Sequence, residues 1–306
     1  MTDVPLIIVN PKSGRGLTEK QWASITVRLR RHIEVFDTAF TGGVGDGIRI
    51  AEEEARRGRR RIIAMGGDGT ISEVVTGILK SGTDAELGVL PRGTGGDFRR
   101  TLDLPLDLED AAQKIVEGKP HPMDVGRIHY MDHEGRESER YFVNSASFGA
   151  SGKVAGEANR SSKLLGGTIT FLKATLKTTL TYDNPDVFLS LDDARRVRLR
   201  VITVFIANGR YTGGGMKVAP EAKLNDGLLD VVTVGDFKVP EILMKSYRLY
   251  TGTHLSLDKV SFTRAKKVYA EPAHPEEQVL LEVDGETPGR LPATFEILPG
   301  ALTIRA

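Results

Sequence analysis

The sequence predicts an α/β domain with a doubly wound parallel sheet, followed by a mainly antiparallel β-sandwich domain. Three observations predict it. Over residues 1–124, short apolar runs alternate with helical patterns, as repeated βα units do. Beyond Asp124, runs that alternate apolar and polar residues follow one another, the signature of antiparallel strands with one face covered. Glycine-rich turns stand directly after three of the N-terminal runs, at 10–16, 66–70 and 93–97. The expected domains are 1–124, to which strands within 293–306 are able to return, and 125–292.

Leu6, Ile7, Ile8 and Val9 read as a buried strand. It ends in Asn10-Pro11-Lys12-Ser13-Gly14-Arg15-Gly16, a turn of small residues. Thr18 with Gln21 three positions on reads as a capping box, and Trp22, Ile25 and Leu29 then share a helical face. A second strand is expected over 35–41, followed by glycines at 42–47 and a helix to about Arg57. Ile62 to Met65 is the third strand, and Ile71, Val74, Val75, Ile78 and Leu79 follow at helical spacing up to Gly82. A fourth strand, Leu87 to Leu90, opens into Pro91-Arg92-Gly93-Thr94-Gly95-Gly96-Asp97-Phe98, and a helix over 107–116 closes the series at Gly118.

In the second part, strands are expected over 125–130, 141–148, 187–191, 197–207, 228–234, 260–263 and 278–283, with final strands at 294–298 and 302–304. Asp192-Asp193-Ala194-Arg195 suits a hairpin. Between them Leu165, Ile169, Leu172, Leu176 and Leu180 form one apolar stripe flanked by Arg160, Lys163, Lys173 and Lys177. Such a helix either packs on its own sheet or lies on an anionic membrane surface.

Composition narrows the function classes. The 306 residues carry a net charge of +1 and no cysteine. Wholesale nucleic-acid binding is disfavoured, and thiolate metal sites, disulfides and cysteine nucleophiles are excluded. The N-terminal apolar run reads as a strand, because a signal peptide needs a longer apolar core, and no apolar stretch is long enough to span a bilayer. The expected location is the cytoplasm, with peripheral contact at the inner face of the cell membrane.

Successive parallel strands end at one sheet edge, so the three glycine turns can converge there. Glycine lets an anion approach free backbone N–H groups at a helix N-terminus. The pattern GxxxxGK[ST] is absent, and the glycines of 42–47 do not spell GxGxxG after a buried strand, which excludes a P-loop and a dinucleotide fold.

In these turns the chain resembles the diacylglycerol kinase catalytic-domain family, in the form of the bacterial lipid kinases. The resemblance rests on 10–16, on Gly66-Gly67-Asp68-Gly69-Thr70 with Glu73, and on 91–98. It continues through Asn208-Gly209, Gly213-Gly214-Gly215, Ala219-Pro220, Lys223-Leu224-Asn225-Asp226-Gly227-Leu228-Leu229-Asp230 and Val283-Asp284-Gly285-Glu286. The motifs span nearly the whole chain in the family's order. One position departs: Gly96 stands where the family usually has Asn.

The resemblance implies an ATP- and Mg²⁺-dependent lipid kinase that phosphorylates a lipid hydroxyl, first of all diacylglycerol to phosphatidic acid. It implies that Ser13, Gly14 and the backbone of Gly67, Asp68, Gly69 and Thr70 cradle ATP phosphates. Thr41 and Thr94 would stand near the nucleotide, and Asn10, Gly66, Glu73 and Asp97 would complete that side. Asp68 would lie near the phosphates and a catalytic magnesium, and Asp284 or Glu286 would be the general base. A structural magnesium would be held by the carbonyls of Lys223 and Leu228 and the carboxylate of Asp226, with Asp124 in a water-bridged network around it. The expected partner is a lipid substrate at a membrane surface, without nucleic acid, in a chain able to form a homodimer.

The same residues have plainer readings. Glu73, three after Thr70, suits a capping box; Asp226-Gly227 and Asp284-Gly285 suit hairpin turns; Asp97 suits a helix N-cap. Two other functions compete. An NAD kinase-like enzyme shares the turn at 66–70, and a nucleotide-binding regulator without catalysis draws some support from Gly96.

Overall fold

The computed structural model describes residues 4–93, 95–160 and 183–306. The chain divides into two compact units, Met1–Asp124 with Gly300–Ala306, and Val125–Pro299.

In the first unit, β1 (Leu6–Val9), β2 (Asp37–Phe40), β3 (Arg61–Gly66) and β4 (Glu86–Pro91) are parallel, in the order β2-β1-β3-β4. Between them run α1 (Ser13–Gly16), α2 (Trp22–Leu29), α3 (Asp46–Arg56) and α4 (Asp68–Ser81), and α5 (Asp97–Thr101) and α6 (Leu108–Glu117) follow β4. Ile7, Val9, Ile63, Met65 and Leu90 pack against Ile25 and Leu29 of α2 and Ala111, Ala112 and Ile115 of α6. The alternate strand residues Leu6, Ile8, Ile62 and Ala64 are equally buried, and α3 and α4 pack on β1 and β3. With both faces covered, these strands read as continuous apolar runs rather than alternating ones. Helices α3 and α4 meet closely at Gly77, where an added Cβ would lie 2.4 Å from the Ile48 carbonyl oxygen.

Two expected capping boxes are absent. Helix α2 starts at Trp22 with Gln21 as N-cap and no side-chain cap. The Thr18 hydroxyl instead donates to the Ser13 carbonyl at 3.0 Å, because the chain between them is wound as α1 and its following turn. Helix α4 starts two residues before Thr70, with Gly67 as N-cap, so Glu73 is already beyond its first turn. The second strand is shorter than 35–41, because Phe36 turns into the core with Ile25, Leu29 and Ile33.

In the second unit β5 (His121–Asp132, which begins in the first unit) pairs antiparallel with β6 (Glu137–Phe142). β7 (Ser145–Gly149) leads into α7 (Ala150–Arg160). β8 (Asp186–Leu191), β9 (Val197–Ala207), β10 (Leu229–Gly235), β11 (Val260–Ala265), β12 (Lys267–Pro272), β13 (Leu281–Val283) and β14 (Gly289–Arg305) follow. The first four residues of β9 pair with β8, and Thr203–Ala207 pair with β7 and β10, so β9 passes from one sheet to the other. The predicted hairpin holds: Asp192 and Asp193 adopt φ of 48° and 60° between antiparallel β8 and β9. Phe148 of one sheet and Phe295 of the other stack at 6.2 Å, within a core that also takes Val204, Ile206, Val231, Val268 and Leu281.

Several expected boundaries move. The run 141–148 is two strands, broken where Val143 and Asn144 turn their N–H groups to Asp284. The strands expected at 294–298 and 302–304 are one, β14; its Ala293–Glu296 pair with β12 and its Thr303–Arg305 pair with β4 of the first unit. β12 and two helices, α8 (Val239–Lys245) and α9 (Tyr247–Thr251), stand where none was expected. The leucine stripe at 165–180 lies outside the described residues, and no helix among the described residues is long and apolar enough to cross a membrane.

Candidate active site

In the first unit the parallel strands deliver residues 10–16, 41–47, 66–70 and 91–97 to one sheet edge. These turns are tied together. Asn10 Nδ2 donates to Thr70 Oγ1 at 3.1 Å, and its Oδ1 accepts the Lys12 N–H. The Ser13 hydroxyl donates to the Asn10 carbonyl at 2.7 Å. Gly14, at φ 60°, donates its N–H to the Arg92 carbonyl at 2.7 Å. An added Cβ at Gly93 would lie 2.5 Å from the Gly67 Cα, so these glycines permit two backbones to touch.

Carboxylates cap three of the helix starts here, those of α3, α5 and α6. Asp68 accepts the N–H groups of Gly96 (2.9 Å), Asp97 (3.3 Å) and Phe98 (3.1 Å), the first turn of α5. Glu73 accepts from Gly45 (2.8 Å) and Gly47 (2.9 Å), at the start of α3. It therefore caps a neighbouring helix across 26 to 28 positions of sequence rather than its own. Asp46 accepts from Gly42 and Gly43, and these bonds with the Arg49 guanidinium hold its carboxyl below the usual carboxylate range. Asp107 caps α6 through the Glu109 and Asp110 N–H groups.

Helix α2 also lacks a carboxylate cap, but backbone carbonyls take its Gln21 and Trp22 N–H groups; the start of helix α4 has neither. It has no side-chain cap, and no hydrogen bond to the N–H groups of Gly67, Asp68, Gly69 or Thr70 is made among the described residues. The first N–H groups of a helix have no intrahelical acceptor, and together with the helix dipole they attract an anion. Gly69 is exposed, with nothing near the position a Cβ would take.

Thr41 is buried, with its N–H on the Val9 carbonyl. Asp97 is the first residue of α5 rather than its N-cap, which is Gly96, and it pairs with Arg100 at 3.2 Å. Gly96 adopts φ 65°, a left-handed conformation that glycine and asparagine tolerate best; that accounts for glycine where the family usually has Asn. Gly66 packs against the Thr70 side chain, and Thr94 lies outside the described residues. Asp124, 2% exposed, accepts the Gly300 N–H at 2.7 Å and fastens the returning end of β14. Arg92 escaped the sequence reading. Its guanidinium donates to Gln21 Oε1 and Thr18 Oγ1, burial pushes its pKa down, and no acid pairs with it among the described residues.

In the second unit Asp284 and Gly285 form the turn after β13, at φ 46° and 87°, with Val283 and Glu286 bonded across it at 2.8 and 3.0 Å. The half-buried Asp284 carboxylate accepts the N–H groups of Val143 (2.8 Å), Asn144 (3.1 Å) and Ser145 (3.1 Å). Burial pushes its pKa up, against the pull of those three donors. Glu282, another residue the sequence reading passed over, accepts from the Ser147 hydroxyl and the Gly285 N–H, both at 2.6 Å. The turn is thus pinned from both sides, while Glu286 is exposed and its carboxylate has no partner among the described residues.

Lys223, Asp226 and Leu228 lie on the loop before β10. Lys223 and Asp226 are exposed, Gly227 adopts φ 70°, and Asp226 Oδ1 accepts the Leu228 N–H at 3.1 Å. Two residues on, Asp230 Oδ1 accepts from Arg264 Nε at 2.8 Å, while its Oδ2 is buried with no partner among the described residues. Burial pushes the Asp230 carboxyl up. Among the described residues no three acidic or imidazole side chains converge on one point; the expected ligand set has one carboxylate and two carbonyls.

Comparison with known proteins gives this geometry a context. A family model described as the diacylglycerol kinase catalytic domain matches residues 5–128, and one described as a YegS C-terminal NAD kinase beta sandwich-like domain matches 144–306. A diacylglycerol kinase of Bacillus subtilis (strain 168) is 28% identical over 290 residues, covering 94% of this chain and 91% of that protein. One from Staphylococcus carnosus (strain TM300) is 28% identical over 289 residues, covering 94% and 90%. The solved structure of a proposed diacylglycerol kinase from Bacillus anthracis strain Sterne is similar with a TM-score of 0.77 at 28% identity, covering 99% of this chain and 97% of that one.

Proposed function

Because the chain belongs to the family that joins a diacylglycerol kinase catalytic domain to a YegS-type β-sandwich, and is a lipid kinase by that membership, we propose that it transfers the γ-phosphate of ATP to a lipid hydroxyl. Diacylglycerol is the leading acceptor, with phosphatidic acid as product. The observation that carries this reading in the structure is the bare start of α4. Helices α3, α5 and α6 are closed by carboxylates, while the Gly67–Thr70 N–H groups are left for an anion.

Phosphates of ATP bind at that turn, with Arg92 supplying positive charge from the adjoining turn. Asp68 and Glu73 hold the turns in place through backbone N–H groups, so catalysis rests on positioning and on preorganised donors. Glu286 is the free acid of its turn and takes the proton from the lipid hydroxyl. The new bond forms between that oxygen and the γ-phosphorus as the bond to the β-phosphate oxygen breaks and ADP leaves. Asp284 shapes the turn that presents Glu286.

The loop at 223–230 fits a magnesium ion. The Asp226 carboxylate is solvent-facing, and the orphaned Asp230 Oδ2 is a buried oxygen of the kind a hard cation satisfies. Lys223 and Leu228 would lend carbonyls and Asp226 its carboxylate. Bound there, the ion would neutralise the acidic loop and fix its conformation.

The test is a labelling experiment. Purified protein, Mg²⁺ and γ-labelled ATP are incubated with a total lipid extract and, separately, with NAD. Label in phosphatidic acid supports the reading. Label in NAD and none in lipid would replace it with the NAD kinase-like alternative. ATP binding without transfer to either would favour a regulator, a reading that Gly96 no longer supports, since its φ explains the glycine.

A further inference from the structure

Helices α8 and α9 form one amphipathic element turned inside out. Ser246, between them, has φ −59° and ψ −30°, so helical backbone runs from 239 to 251. At 100° per residue, Ile242, Lys245 and Leu249 share one face. That face is anchored: Leu249 packs with Val218, Ala219, Phe205 and Val232, and Lys245 Nζ sits 5.0 Å over the Phe237 ring. The opposite face carries Leu243, Met244, Tyr247 and Tyr250, exposed by 53%, 69%, 58% and 46%. Nowhere else among the described residues do four large exposed apolar side chains fall within eight positions. Neither helix buries a single residue fully.

We propose that this face docks the protein onto an anionic lipid surface, an inference that rests on the lipid-kinase reading. The chemistry around the patch favours lipid over protein. Lys238, at the N-cap of α8, and Arg248, whose guanidinium donates to the Ser256 hydroxyl, lie on the same stretch without an acidic partner among the described residues. The acid within this helical stretch, Glu241, is occupied by the Lys238 N–H and by Lys245 and Lys259. Leucine and methionine can enter the acyl boundary, tyrosine prefers the headgroup level, and unpaired cations meet anionic headgroups.

The experiment uses the full chain with vesicles of phosphatidylcholine alone or mixed with phosphatidylglycerol. Wild type is expected to co-sediment with the mixed vesicles, more weakly as salt rises. Leu243→Glu with Tyr247→Glu should lower that binding about tenfold or more. Lys238→Glu with Arg248→Glu should remove the preference for the anionic lipid. Both double variants should melt as wild type does and phosphorylate a short-chain, water-dispersed diacylglycerol at the wild-type rate. Unchanged vesicle binding in the Leu243/Tyr247 variant overturns the docking surface while leaving the kinase reading intact. A wild-type dimer that this variant dissociates, with vesicle binding retained, also overturns it and assigns the face to a second copy. Loss of short-chain turnover in wild type itself would overturn the kinase reading instead, which vesicle binding does not measure.

Discussion

The carboxylate of Asp68 accepts the backbone N–H of Gly96 at 2.9 Å, across 28 positions of the chain. The acid of one glycine turn thereby closes the helix that follows another. Asp68→Asn replaces an acceptor of three N–H groups with an amide whose nitrogen cannot accept. Loss of about 1–3 kcal/mol is expected, alongside loss of phosphoryl transfer. Urea denaturation of the purified variant measures the first. A variant as stable as wild type would separate Asp68 from the α5 cap.

Gly77→Ala should destabilise although alanine is the better helix former. The propensity gain is about 1 kcal/mol. The new Cβ would lie 2.4 Å from the Ile48 carbonyl oxygen and 2.7 Å from the Ala51 Cβ, so α3 must move away. A fall in melting temperature is the expected result; a rise would mean the helices part without cost.

Gly96 offers a contrast between two substitutions. At φ 65°, Gly96→Asn is expected to stay within about 1 kcal/mol of wild type, while Gly96→Val costs about 1–2 kcal/mol or more. Equal melting temperatures for the two variants would show that the backbone there is not held left-handed. Kinase assays on Gly96→Asn then read the effect of the amide alone.

His254 predicts a pH dependence. It is 2% exposed, and its Nε2 donates to the Val218 carbonyl at 2.9 Å. Burial pushes its pKa below the ordinary value of 6.5, against the hydrogen bond to the Val218 carbonyl. The unfolded chain therefore takes up a proton that the folded chain refuses. The stability from this group is full above pH 6.5 and is lost as the pH falls below it. Comparing urea midpoints at about pH 8 and pH 5.5, wild type should lose more than His254→Gln. Equal losses would remove His254 from the account.

Glu286→Gln should abolish transfer with little change in stability, since the side chain is exposed and unpartnered among the described residues. Asp284→Ala should do both, leaving three N–H groups without their acceptor at about 1–3 kcal/mol or more. Melting curves beside turnover separate the two roles; Glu286→Gln with wild-type turnover would take the base away from that residue.

The sequence by itself determined the parallel unit and the places where its turns fall. Leu6–Val9 and 62–65 are short apolar runs that end directly in turn residues, Asn10-Pro11 and Gly66-Gly67, and that pattern is local. The motifs at 10–16, 66–70 and 91–98 sit within a few residues of their strands, so their positions at the sheet edge were legible too. Tertiary structure alone decided what the acids do. Asp68 and Glu73 serve helices that start 26 to 30 positions away, and the bond partner of a carboxylate at that separation leaves no periodic trace. The same reason split the run at 141–148, since Asp284 claims its backbone N–H groups from 139 to 141 positions downstream. The apolar outer face of 239–251 was decided there as well: helical spacing shows that a face exists, and only packing shows which face the core takes.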